Sequence, residues 1–211
     1  MKIETFDVEI EGVTPLIIHN CRTGNPLDVY AKKLKALTSK RLKTEEDHEA
    51  ILKVQWEACL YWNETLKLYI PWENLYAMLL HAAKKHKLGP KMGAVTFTDP
   101  IGYSLIVPHH EDLEALRADQ DNKFIKLVTI QRSKTLSCRP MFDDWSLKFS
   151  FEFESDVVDP NEMKTILITA SRRGGLGVWR PSSPKPGPYG TFTVKSLIYK
   201  NSKGKKINLG D

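Results

Sequence analysis

The stretch Ser171–Val194, SRRGGLGVWRPSSPKPGPYGTFTV, cannot run through its whole length as a helix or a strand. It holds five glycines and four prolines, and proline removes a backbone donor that both regular structures use. Glycine adopts backbone angles closed to other residues and lets a second backbone approach closely. Helical periodicity precedes the stretch and strand-like alternation follows it. The sequence therefore predicts a long, semi-rigid loop between a helix and a strand.

This loop also combines positive charge with aromatic rings. Arginine binds phosphate, an aromatic ring stacks on bases, and glycine admits a close phosphate backbone. We expect the loop to press against a polyanion; the alternative is a Pro/Gly-rich surface loop with incidental charge and aromatic rings that pack internally. The candidate nucleic-acid-binding residues in it are Arg172, Arg173, Gly174, Gly175, Gly177, Trp179, Arg180 and Tyr189.

The composition is that of an ordinary globular protein, since 41% of the 211 residues are hydrophobic and 27% are charged. A formal charge of +5 and a pI near 9.0 favour a polyanionic partner without requiring one. No run is long enough to span a bilayer and the first ten residues lack a signal-peptide pattern, so we expect a cytoplasmic protein without a membrane partner. Cys21, Cys59 and Cys138 are odd in number and widely spaced, which predicts reduced thiols.

Hydrophobic periodicity predicts the order strand, helix, strands, strands, helix, strand once residues 28–63 are set aside. That order is the βαββαβ pattern of an α+β fold with a ferredoxin-like or RRM-like core. The extended runs 94–98 and 103–107 are predicted to form a hairpin or two neighbouring strands. The predicted core segments are the strand 2–10, a helix opening at Pro71, the strands 94–98, 103–107, 124–136 and 147–154, a helix 161–172 and the strand 191–199.

Three further segments extend this single domain, residues 1–211. Residues 28–63 form a predicted helical insertion, in which Lys32 and Lys33 are candidate phosphate contacts or simply a solvated helix face. Residues 124–154 form an extended hairpin region, and residues 200–211 a flexible tail. The stretch between the two extended runs of the hairpin region is basic, and Phe142 and Trp145 add aromatic rings to it. The candidate nucleic-acid-binding residues outside the glycine-rich loop are Arg22, Lys32, Lys33, Arg132, Lys134 and Arg139.

Three short motifs resemble the RAMP superfamily, the RNA-binding proteins of CRISPR effector complexes. EGVTPLII at 11–18 is similar to the opening strand of these proteins. YIPWENLYAMLL at 69–80 resembles the start of their first core helix, although Trp72 and Glu73 stand where small residues are expected. The segment 174–194 is similar to their glycine-rich loop and ends in the matching Gly190, Phe192 and Val194, with an unusual proline-rich insert.

The resemblance implies an RRM-like palm that grips the backbone of single-stranded RNA, with single-stranded DNA as the alternative ligand. The most similar branch is the repeated backbone subunit, which assembles with copies of itself and with other effector subunits along a guide RNA. The small size suggests a reduced member, for example a phage-encoded one. No cofactor and no metal are expected, because the pair His109 and His110 lacks a third ligand at suitable spacing.

Some branches of the family cut RNA, which makes three residues weak catalytic candidates. Asp28 lies in the loop where target-cutting branches carry an acid, but an aspartate before a helix also serves as an N-cap. His19 and His81 are the candidate general bases of the guide-processing branch. The sequence thus favours a binding subunit. The alternatives are a RAMP-like endoribonuclease and a phage structural or interaction protein that shares the fold.

Overall fold

A computed structural model describes residues 2–130 and 133–207. Its strands are β1 (Ile3–Gly12), β2 (Leu16–Ile17), β3 (Trp62–Asn63), β4 (Lys67–Pro71), β5 (Val95–Phe97), β6 (Gly102–Ile106), β7 (Lys123–Ile130), β8 (Ser133–Phe142), β9 (Ser146–Glu154), β10 (Phe192–Lys200) and β11 (Lys206–Ile207). Its α-helices are α1 (Val29–Thr38), α2 (Glu45–Cys59), α3 (Trp72–Lys85), α4 (Leu113–Ala118) and α5 (Pro160–Thr169).

The larger sheet is antiparallel and has the order β11-β10-β1-β9-β6-β4-β3, with β5 also paired to β9. Alternation along the two central strands puts one apolar face inward, as in Phe6 on β1 and Phe151 on β9, which face each other in register. Helices α3 and α5 cover that face with Leu79 and Leu167 among their buried residues. The predicted mixed α+β class with antiparallel sheets is confirmed.

The opposite face of this sheet is polar and crossed by ion pairs. Lys148 Nζ lies 3.3 Å from Glu9 Oε1, and Lys195 and Lys200 pair with acids of β1. On β1, β9 and β10 the positions that alternate with the core face carry no aromatic side chain. On this face, these three strands therefore lack the rings that would stack on bases.

The smaller sheet has the order β2-β8-β7, and its strand β8 packs against α2. Gln55 Oε1 accepts a 2.9 Å hydrogen bond from the Cys138 backbone, and Trp56 Nε1 donates to the Asn122 carbonyl at 2.8 Å. The predicted single run 124–136 is divided between β7 and β8, which pair with each other, and most of the predicted basic connection that follows it belongs to β8. Phe142 and Trp145 are buried in the core and are not part of a surface.

The structure also refines several boundaries and pairings of the sequence prediction. The helical insertion ends at Cys59, because Leu60 turns to an extended backbone and residues 62–63 form β3. Strands β5 and β6 pair with successive parts of β9 and not with each other, so of the two predicted arrangements they are neighbouring strands and not a hairpin. Helix α5 ends at Thr169 and continues as a π-helical turn, Ala170–Gly174. In the predicted flexible tail, β11 folds back onto β10.

None of the helices in the two described ranges is long and apolar enough to cross a membrane.

Candidate nucleic-acid interface

The glycine-rich loop is held against the segment that leads into β2. The backbone N–H of Val178 donates to the Ile17 carbonyl at 2.8 Å, and that of Gly190 donates to Pro15 at 2.8 Å. Gly177 and Gly190 have φ angles of 75° and 68°, in the left-handed region that favours glycine. A Cβ at Gly177 would overlap the Ile17 carbonyl. The close approach that these glycines allow is thus to the chain's own backbone.

The first glycines of the loop have a similar internal role. Gly174 and Gly175 are both buried. A Cβ at Gly174 would touch Ala170 and Met78, and one at Gly175 would press on Pro181. A Cβ thus fits at Gly174, whereas Gly175, with φ 69°, is needed for the turn into the loop.

Trp179 joins the loop to the β7–β8 hairpin. Its ring centroid lies 5.4 Å from that of Phe124 in an edge-on contact and 6.5 Å from that of Tyr189. The Arg139 guanidinium lies 4.7 Å from the ring centroid, and Lys126 Nζ lies 5.3 Å from it. We call these five residues the Trp179 cluster. It brings together two basic segments that are far apart in the sequence.

The ring of Trp179 is already in contact with side chains of its own protein. Cation–π contacts of this kind, partly exposed, are each worth about 0.5–1 kcal/mol. Trp179 also has φ 51°, a conformation rarely adopted by bulky residues. Trp179 therefore packs the loop on the hairpin. Tyr189 is half-buried like Trp179 and lies against the same Phe124 ring, with ring centroids 5.7 Å apart.

A cavity of about 190 Å³ lies between the end of β2, the first turns of α3 and the loop. Arg180 lines it, with Nη1 donating to the Gly177 carbonyl at 2.7 Å and Nε donating to Ser182 Oγ at 2.9 Å. Burial lowers the pKa of Arg180. His19 and Asn74 line the same cavity, so a cation, an imidazole and an amide face one small space.

Both candidate histidines lie in a positive environment. Burial, and after it the charge of Arg139, lowers the pKa of His19. Burial, and after it the charges of Arg180 and nearby lysines, lowers the pKa of His81. An imidazole with a lowered pKa is neutral at pH 7 and is able to accept a proton. Only His19 lines the cavity beside Arg180; His81 does not line it.

Asp28 caps helix α1. Its Oδ1 accepts from the Tyr30 backbone at 2.8 Å and its Oδ2 accepts from Arg22 Nε at 2.9 Å. Burial would raise the pKa of Asp28, but these hydrogen bonds outweigh it and hold the pKa below its ordinary value. The carboxylate is therefore engaged as an N-cap, the alternative role foreseen for it.

A second basic group surrounds Tyr30 at the start of α1. The Arg22 guanidinium lies 4.6 Å and Lys33 Nζ 5.5 Å from the centroid of the Tyr30 ring. Lys32 is exposed on the same helix. These three cations form a group of their own, distinct from the Trp179 cluster.

The remaining candidates are exposed cations on the loop side and the hairpin. Arg172 and Arg173 project from the π-helical turn, and Lys134 lies on β8. Arg132 lies outside the described residues. Phe124 and Lys126 were not predicted from the sequence, although alternation along β7 puts both on one face of the strand. Among residues 2–130 and 133–207, no group of three or more His, Cys, Asp or Glu side chains is placed to hold a metal ion.

No protein-family model matches the chain, and no curated protein matches it. One solved structure that aligns with it is described as "Cryo-EM structure of the Type III-B Cmr-beta bound to cognate target RNA". The alignment covers 95% of this chain and 62% of that chain, with 14% sequence identity and a TM-score of 0.49. This chain thus spans less than two thirds of that neighbour. At this identity and TM-score, neither activity nor partners are transferred.

Proposed function

We propose that this protein is an RNA-binding subunit with a RAMP-like core, which assembles with copies of itself along single-stranded guide RNA in a CRISPR-type ribonucleoprotein. The Trp179 cluster is the observation that carries this proposal. The glycine-rich loop and the β7–β8 hairpin, which the sequence independently identifies as basic, meet there around the indole ring of Trp179. The meeting creates a surface that offers cations for phosphates beside the half-buried ring of Tyr189.

The strand order supports a ferredoxin-like core. The strands β10, β1, β9 and β6 are neighbours in that order, and α3 and α5 pack on one face. This order fits a βαββαβ chain in which the first and third core strands are central. The RAMP-like motifs at 11–18, 69–80 and 174–194 fall on β1–β2, on β4–α3 and on the loop into β10.

The polar open sheet face indicates where RNA does not bind. RRM domains stack bases on aromatic residues of their sheet, whereas β1, β9 and β10 carry acids and ion-paired lysines on that face. We therefore expect RNA along the loop and hairpin and not across the ion-paired face. Lys148 supplies a control position for this assignment, because it is an exposed lysine of the open face.

The test is salt-dependent binding of labelled single-stranded RNA and DNA. For single strands the slope of log affinity against log salt is about 0.7 per phosphate contact. Lys126→Ala and Arg139→Ala should each lower the slope by about 0.7 if the side chain contacts a phosphate. Lys148→Ala should leave it unchanged. The particle size at low salt, with and without ribonuclease, reports assembly. A monomer with no retention on either nucleic acid would overturn the proposal and favour a structural or interaction protein.

A second candidate function is metal-independent cleavage of RNA at the cavity of Arg180. The supporting observation is that His19, with a lowered pKa, lines this cavity beside a guanidinium. A neutral imidazole can act as a general base, and the cation can stabilise charge on phosphate. Wild-type protein should then cut labelled RNA in the presence of a chelator, and His19→Ala should spare it.

The other two catalytic candidates need different variants. His81→Ala tests the second histidine directly. For Asp28 the suitable change is Asp28→Asn, because asparagine also caps a helix well and the variant keeps α1 intact. Cleavage that survives His19→Ala and His81→Ala but is lost in Asp28→Asn would assign the activity to the carboxylate.

A further inference from the structure

Strand β7 forms an open edge of the smaller sheet. One side pairs with β8 over eight residues, from Lys123 opposite Pro140 to Ile130 opposite Ser133. The sheet order β2-β8-β7 puts no other strand on its second side within the described residues. An open edge presents a row of backbone donors and acceptors to which another extended chain can pair.

One face of this hairpin is apolar and exposed. Ile125 is 49%, Leu127 60% and Leu136 39% exposed. Leu127 and Leu136 are cross-strand partners, and Ile125 is two residues from Leu127, so all three share a face. This face is opposite to the one that holds Phe124 and Lys126. This apolar face offers RNA phosphates no favourable contact, whereas apolar side chains of another protein would be stabilised by burial against it.

A groove of about 600 Å³ lies at the start of the same strand. Leu52 and Trp56 of α2 form an apolar part of its wall, and Ile125 continues the wall on the β7 side. Arg117 of α4 also lines it; its Nε lies 3.0 Å from Glu57 Oε1 but makes no well-aligned hydrogen bond. An extended chain paired with β7 would run past this groove and have room for a large side chain.

The positive charge of the hairpin indicates which kind of chain can pair with the edge of β7. Residues 123–142 contain five lysines and arginines and no aspartate or glutamate. A second copy pairing β7 with β7 would bring like charges together. The other long strand with an open side, β10, also has no acid and carries Lys195 and Lys200. An acidic segment is therefore the complementary partner.

We propose that the outer edge of β7 is the docking site for an extended, acidic segment of a different protein. The segment would add a strand to the sheet through backbone hydrogen bonds. On the docked segment every second side chain would be apolar and would cover Ile125 and Leu127. The acidic side chains between them would lie on the opposite face, near Lys126. The proposal goes beyond RNA binding and does not depend on it.

The probe is a fluorescent, end-capped eight-residue peptide that alternates valine with glutamate. It should bind the full chain and protect every second amide of β7, those directed away from β8, from hydrogen exchange. Two control peptides should not bind: one alternates valine with lysine, and the other is the acidic peptide with alternate backbone nitrogens methylated. Equal binding of the lysine peptide, or no protection of β7 at millimolar acidic peptide, would overturn the proposal.

The matched variants are two exposed leucines. Leu127→Ser should weaken the acidic peptide by about tenfold or more, because a covered leucine contributes at least that much. Leu42→Ser, at a leucine that is 88% exposed between α1 and α2, should change nothing. Two results would count against the proposal: a dimer of the wild type that Leu127→Ser abolishes, which points to a second copy, and loss of RNA binding in Leu127→Ser, which assigns the face to RNA.

Discussion

At the scale of single residues, the three cysteines differ sharply in accessibility. Cys21 is exposed, and Cys59 and Cys138 are buried. Burial raises the pKa of Cys59 to about 12 and that of Cys138 to about 11. The thiolate is the reactive form. The two buried thiols are therefore unreactive for two reasons: reagents do not reach them, and they stay protonated.

We expect one of the three thiols to react with Ellman's reagent in the native protein and all three in denaturant. The same burial makes stability depend on alkaline pH. In the unfolded chain the cysteine thiol has its ordinary pKa of 9.0, whereas burial raises the pKa of folded Cys59 to about 12. Its contribution is therefore fully present below pH 9 and is lost as pH rises towards 12. Native labelling of two or three thiols would contradict the buried positions.

Gly190 and Gly204 have similar backbone angles, so substituting each of them separates the cost of backbone strain from the cost of steric overlap. Gly190 has φ 68° and a Cβ there would overlap the Leu176 carbonyl, whereas Gly204 has φ 71° and open space. Gly204→Ala should cost about 1 kcal/mol for the left-handed backbone alone. Gly190→Ala should cost about 3 kcal/mol or more, because the backbone of the loop must also shift. Equal losses in chemical denaturation would mean that the loop is not held as described.

At the scale of elements, the joint between loop and hairpin depends on one ring. Trp179→Ala should lower stability by about 1–2 kcal/mol, less than for a fully buried tryptophan. It should speed hydrogen exchange in β7 and leave β1 unaffected, since β1 lies in the larger sheet. Trp179→Phe, which keeps a ring beside Phe124 and Arg139, is the control and should preserve most of the protection. Unchanged exchange in β7 after Trp179→Ala would show that the hairpin is held by α2 alone.

The strands were predicted from sequence only where alternation was clean. In β9 the phenylalanines alternate with polar residues, and the predicted strand 147–154 is confirmed. In β8 the buried positions are Cys138 and Pro140, and proline and cysteine are not residues that indicate a strand. The local pattern therefore resembled a basic connection, although pairing with β7 makes it a strand.

The candidate interface was only partly predictable for a different reason. The loop arginines and Trp179 were found by composition, which is a local property. That Arg139 and Lys126 lie over Trp179 depends on how the two sheets pack, and no spacing in the sequence encodes it. Gly177 was assigned to ligand approach, yet it meets the protein's own backbone at Ile17. Sequence reasoning identifies the residue types that permit close contact but not the partner in that contact.

At the scale of the whole molecule, the larger sheet depends on both ends of the described chain. β1 lies between β9 and β10, with Val8 opposite Phe149 on one side and Leu197 on the other. A chain ending at residue 190 would leave β1 with an open edge and remove Phe192 and Tyr199 from the core. We expect such a chain to lose the near-ultraviolet circular dichroism of the native protein; a truncated chain that keeps it would show that β10 is dispensable.

The central position of β1 also has a consequence for folding on the ribosome. Strand β1 is synthesised well before β9 and β10, so it emerges before either of its neighbours exists. Contacts between such distant segments slow folding, and an unpaired apolar strand is prone to association while it waits. Slower translation would lengthen that exposure rather than relieve it. We therefore expect the yield of native protein to depend more on chaperone supply and low temperature than on codon choice in the segment that encodes β1 to β8.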